Sequence, residues 1–143
     1  MNEWLTDPRA VRGEELGYEA ECAERDGDFA RARDRYRAAA TEYAGVALSV
    51  SPDHPNTRSA LAIAAVACFA RAHDFGRAVD LAERMLAQPG ALSERGRTEL
   101  LRMVRTYALL VEPARLPPKR AARSPHRMRD VVRGRLAAPK DAA

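Results

Sequence analysis

The sequence predicts an all-α chain of antiparallel helical hairpins closed by a capping helix, and three observations predict it. Strand-favouring runs of Val, Ile, Thr and aromatics are almost absent, and aromatics make up only 6% of the chain. Alanine dominates the apolar residues, which suits helices that approach closely rather than a core built around large rings. The chain also repeats itself. At an offset of 46 residues, CAERDGDFARARD from Cys22 lies over CFARAHDFGRAVD from Cys68. The pairs Cys22/Cys68, Arg25/Arg71, Asp28/Asp74, Phe29/Phe75, Arg31/Arg77, Ala32/Ala78 and Asp34/Asp80 are identical, without a gap. A repeated unit of this length points to stacked helical hairpins.

The elements follow in order. Asp7-Pro8 opens the first helix, with Asp as N-cap and Pro at the first helical position, where its missing N–H does no harm. Leu16, Ala20 and Ala23 recur at helical spacing, and the helix ends near Asp26-Gly27. The second helix starts at Asp28-Phe29, carries Ala32, Tyr36, Ala39, Ala40 and Tyr43, and meets nothing that breaks it before Ser51-Pro52. SPDHPN is a linker rich in turn residues. The third helix runs from about Asn56 to Ala72, and its stretch ALAIAAVACFA is apolar nearly all round, as a central helix should be. Asp74-Phe75 opens the fourth, with Ala78, Leu81, Ala82, Met85 and Leu86 on one face, and Gln88-Pro89-Gly90 closes it. The fifth begins near Ser93, carries Leu100, Leu101, Val104, Tyr107, Ala108 and Val111, and stops before Pro113. In this scheme Phe29 and Phe75 plug the base of each hairpin.

At 143 residues the chain holds one domain's worth of polypeptide and a tail, divided at 1–112 and 113–143. From Pro113 onward nine basic residues face only Asp130 and Asp141, a net charge of +7. The whole chain is +4, so residues 1–112 carry −3. This asymmetry bears on partners, not on fold. No apolar run approaches the roughly 20 residues that span a bilayer. The opening MNEWLTDPRAVRGEE has neither the basic start nor the apolar centre of a secretory signal. The expected compartment is the cytoplasm, with Cys22 and Cys68 as free, buried thiols.

A small residue, a Gly/Asp turn, an aromatic, then Ala and an aromatic four residues on together resemble the tetratricopeptide repeat. Leu16 stands where that family has Trp, Ala20 at its small residue and Ala23 at its Tyr. Gly27 is the turn glycine, Ala32 the packing alanine, and Tyr36 and Ala39 follow. In the second unit Val66, Phe69, Ala78 and Ala82 match, with Pro89 one residue early. Glu19 replaces a Leu, His73 replaces the turn Gly, and the spacing is about a dozen residues longer than the family's roughly 34. The resemblance covers about residues 10–112. It implies a short tetratricopeptide-like array and a binding role. The layout is also similar to that of small bacterial proteins, which implies no activity.

Catalysis needs converging groups, and few are on offer. There is no Gly-rich phosphate loop, HExxH or Cys-x-x-Cys. His54 and His73 sit at turns and His126 in the tail, and Asp26-x-Asp28 is a helix stop followed by a start. The expectation is a non-catalytic module with neither cofactor nor metal.

By the resemblance, the first helix of each hairpin lines a concave face. That face carries Glu14, Tyr18, Glu21 and Arg25 in the first unit and Ile63, Ala67 and Arg71 in the second. The family's carboxylate-gripping set is missing apart from Arg25 and Arg71, so an acidic-to-apolar groove suits a basic amphipathic segment instead. The alternative is that Glu14 and Glu21 are ordinary solvated residues. In the tail, Ser124-Pro125 resembles a helix start, and Met128, Val131, Val132 and Leu136 make an apolar stripe flanked by Arg127, Arg129 and Arg133. Docking on a partner groove, on an acidic surface or on the chain's own body is one reading. The others are a solubilising tail and nucleic-acid binding, in which Arg127, Arg129 and Arg133 contact phosphates. Two hairpins and one lone helix fall short of the three repeats such arrays need. Arrays that short usually need capping or self-association, so the fifth helix is expected to act as the cap, with a homo-oligomer as the alternative.

Overall fold

Five α-helices and two single 3₁₀ turns make up the structure, a computed structural model that describes residues 3–111. The helices are α1 (Pro8–Arg25), α2 (Phe29–Ser49), α3 (Pro55–Arg71), α4 (Phe75–Leu86) and α5 (Glu94–Ala108). The 3₁₀ turns are Glu3–Thr6 and Pro89–Ala91, and no strand occurs among the described residues. The chain is therefore all-α, and the helix boundaries fall within a few residues of those expected. Everything expected of the tail lies outside the described residues.

Local chemistry fixes those boundaries. Asp7 caps α1 by accepting from the Arg9 amide at 2.8 Å, with Pro8 behind it. Ser93 caps α5 by accepting from the Gly96 amide at 3.0 Å. The two hairpin turns are copies of one another. The Gly27 amide donates to Glu24 O and the Asp28 amide to Ala23 O; the His73 amide donates to Ala70 O and the Asp74 amide to Phe69 O. This is the Schellman arrangement, in which the residue past the helix end turns left-handed. Gly27 has φ +77° and His73 φ +57°. Asp28 and Asp74 then cap the next helices by accepting from the amides of Arg31 and Arg77.

Packing follows chain order, each helix against the next, with α3 also against α5. As its apolar girth requires, α3 is central, covered by α2, α4 and α5. Small side chains bring the helices together: Ala20, Ala39, Ala40, Ala62, Ala65, Ala78 and Ala82 are fully buried, and Ala32 nearly so. One core cluster joins Val66, Phe69, Met85, Leu100 and Met103 across α3, α4 and α5. A second gathers Ala20, Ala23, Ala32, Tyr36 and Ala72 where the two hairpins meet.

Among the described residues Arg58 is the buried cation, 5% exposed. Its Nη1 donates to the carbonyls of Ala47 and Val50 at the end of α2, and its Nη2 donates to Gln88 Oε1 just past α4 at 2.9 Å. The two carbonyls lie at the negative pole of α2, where a cation is stabilised, and the Gln88 side chain adds a third acceptor.

Two expectations need correction. Phe29 plugs nothing: it is 62% exposed and has no aromatic neighbour among the described residues. Its repeat mate Phe75 is half-buried because His73 stacks on it at 5.8 Å and Tyr107 of α5 covers it at 6.0 Å. Cys22 and Cys68 are free thiols as expected, but half-buried rather than buried. Burial pushes the Cys68 thiol up from its ordinary pKa.

Candidate partner-binding face

Two clefts adjoin along α3, one shared with α1 and the other with α5. The first has a volume of about 460 Å³. Ala10 and Glu14 of α1 form one wall and Asn56, Thr57, Ala60 and Leu61 of α3 the other. Tyr43 of α2 also lines it, as do Trp4 and Leu5 of the 3₁₀ turn before α1. Trp4 is held there edge-on to His54, ring centroids 6.4 Å apart. Gly13 gives Tyr43 its room, since a Cβ there would lie 3.0 Å from the phenol ring. Burial raises the Tyr43 pKa, and the charges of Cys68 and Glu14 add to the rise.

The second cleft, about 930 Å³, lies between α3 and the start of α5. Asn56, Ser59, Ala60 and Ile63 face Ser93, Glu94, Arg95 and Glu99 across it. Asn56 and Ala60 belong to both clefts, so the two adjoin along α3.

The residues expected on this face divide. Glu14 lines the first cleft and Ile63 the second. Tyr18, 65% exposed, opens elsewhere, beside Glu19, Cys22 and Arg31. Ile63 and Ala67 are partly packed against the core. Arg25 turns back toward Cys22 Sγ, 4.0 Å away. Glu21 and Arg71 do come together, at 3.8 Å. Arg71 also donates to Tyr36 Oη at 3.0 Å and lies over that ring, 5.0 Å from its centroid. Tyr36 Oη in turn donates to Glu24 at 3.0 Å. Glu21, Arg71, Tyr36 and Glu24 thus form a polar clasp across α1, α2 and α3. Desolvation, then the hydrogen bond to Glu24, raises the Tyr36 pKa to about 12.

Sequence reasoning passed over Trp4, Tyr43, Asn56 and Ala60. The lone tryptophan of a chain poor in aromatics was the signal available for the cleft. Met128, Val131, Val132, Arg127, Arg129 and Arg133 lie outside the described residues. Among the described residues no three His, Cys, Asp or Glu side chains gather as metal ligands, and no helix is long and apolar enough to cross a membrane. Comparison with protein-family models, with curated proteins and with solved structures finds no match for this chain.

Proposed function

We propose that this chain is a non-catalytic binding module: a short tetratricopeptide-like array whose α1, α3 and α5 present one face to a protein or peptide segment. The observation that carries the reading is the pair of clefts adjoining at Asn56 and Ala60, lined from all three of those helices. The matched hairpin turns and the packing of α3 on both α4 and α5 support the stacked arrangement, with α5 as its cap. The walls mix apolar surface with Glu14, Glu94 and Glu99, opposed by Arg95. That balance favours a basic amphipathic segment as occupant.

Ala60 is exposed on the shared floor, so a large side chain there fills both clefts without entering the core. A photo-crosslinking residue at position 60 should capture a partner in the native host, and Ala60→Trp should abolish its retention by the purified protein. Retention unchanged by Ala60→Trp would move the binding surface elsewhere. A second reading, phosphate binding through the +7 tail, draws on the charge asymmetry of the sequence.

A further inference from the structure

Glu14 stands apart among the carboxylates of α1. Glu15 pairs with Arg12, Glu19 with Arg12 and Arg35, Glu21 with Arg71, and Glu24 accepts from Tyr36. Glu14 has no cation or hydroxyl donor among the described residues, yet it is the one charged residue lining the first cleft. Around it the cleft is mostly apolar and aromatic, from Trp4, Leu5, Ala10, Tyr43 and Leu61, with the uncharged polar Asn56 and Thr57 on the α3 wall. A carboxylate on such a wall lacks a cation, and the flanking aromatic faces attract one as well. A neutral apolar anchor would leave the carboxylate partly desolvated and unpaired, and an acidic anchor would be repelled.

Resting on the binding role proposed for this face, we infer that the first cleft takes a lysine or arginine side chain borne by an amphipathic segment of a partner protein. The aliphatic stem of that side chain lies along Leu5 and Leu61. Its charge meets Glu14 between Trp4 and Tyr43. Neighbouring apolar residues of the segment continue over Ala60 into the second cleft.

Trp4 is the chain's single tryptophan, so its fluorescence reports on this cleft alone. The full-length protein is titrated with a helical Leu/Lys amphipathic peptide and with the same peptide carrying Gln for Lys. The Lys peptide should give a saturable change in Trp4 emission and bind about tenfold tighter than the Gln peptide, as a charged hydrogen bond would dictate. Glu14→Gln should erase that preference, while Glu15→Gln, outside the cleft and on the same helix, should keep it. Equal binding of both peptides to the parent, or a preference that survives Glu14→Gln, would overturn the inference and leave the wider binding face standing. If neither peptide alters Trp4 emission or shifts any amide of α1, α3 or α5 in ¹⁵N spectra, the inference and the binding face fall together.

Discussion

A Cβ at position 96 would lie 2.3 Å from both Cβ and Oγ of Ser59, so Gly96 and Ser59 mark where α5 crosses α3 with no space between them. Ser59 is not free to yield, because its Oγ accepts the Ser93 amide at 2.9 Å. Gly96→Ala should therefore overpack the crossing and cost about 1–3 kcal/mol. Gly17 is the contrast, an α1 glycine with nothing within 4 Å of its would-be Cβ. Gly17→Ala should stabilise by about 0.5–1 kcal/mol through helix propensity. Urea melts of the two variants check both signs.

Ala32 and Ala78 hold equivalent places in the two hairpins and are nearly or fully buried. Replacing either with Leu should cost about 1–3 kcal/mol by forcing the helices apart. Thermal melts as stable as the parent for both would remove the close-packed hairpin.

The fifth helix covers Leu81, Met85 and Phe69 through Leu100 and Met103. A chain stopped before Ser93 should bare that surface and dimerise or aggregate, while one ending at Val111 should stay as the parent is. Light scattering across a concentration series distinguishes the two. A monomeric, cooperatively folded 1–92 fragment would show that the fifth helix is dispensable.

Tyr36 gives the fold an alkaline limit. Its pKa rises from about 10 unfolded to about 12 folded, so the folded state holds the proton more tightly. The stability this provides is fully present below pH 10 and is lost as pH climbs toward 12. Tyr43, also raised by burial, acts in the same sense. Denaturation between pH 9 and 12 should show a steep decline that Tyr36→Phe reduces.

For the tail, two outcomes are opposed. Nucleic-acid binding would fall steeply with salt and be lost when Arg127, Arg129 and Arg133 become Gln. A docking stripe would instead be lost when Met128, Val131 and Val132 become Ser, with little salt effect and about 1.5–3 kcal/mol per large side chain. The second pattern is expected, because the four apolar residues fall at helical spacing behind Ser124-Pro125. Titration with duplex and single-stranded oligonucleotides at two salt concentrations decides it, and tight, salt-sensitive binding lost with the arginines reverses the choice.

Four of the five helices were legible because their starts are set by neighbours in sequence: Asp7 with Pro8, Asp28, Asp74 and Ser93 each cap through an amide two or three residues on, whereas α3 starts at Pro55 with no side-chain cap. The internal repeat carried as far as the hydrogen bonds of the two turns. It failed at Phe29, since identity of residue does not guarantee identity of surroundings, and no counterpart of Tyr107 reaches that ring. Arg58 was illegible because arginine is so rarely buried, and only the meeting of two distant helix ends makes a place for it. The first cleft was missed for a similar reason. Its walls are 3₁₀ turn, α1, α2 and α3, and no periodicity links Trp4 to Tyr43.

Arrays of hairpins ordinarily come apart one repeat at a time, because each unit touches only its neighbours. In this chain Arg58 ties the end of α2 to the turn past α4, two places far apart in sequence. Fraying of α2, or of the turn past α4, takes acceptors away from a buried guanidinium, so each opening carries a cost set by the same side chain. The hairpins thus share a single lock, with its bolt on α3 and its catches on both sides. Protection of the Val50 and Gln88 amides against exchange should therefore fall at both places once Arg58 is replaced by Met.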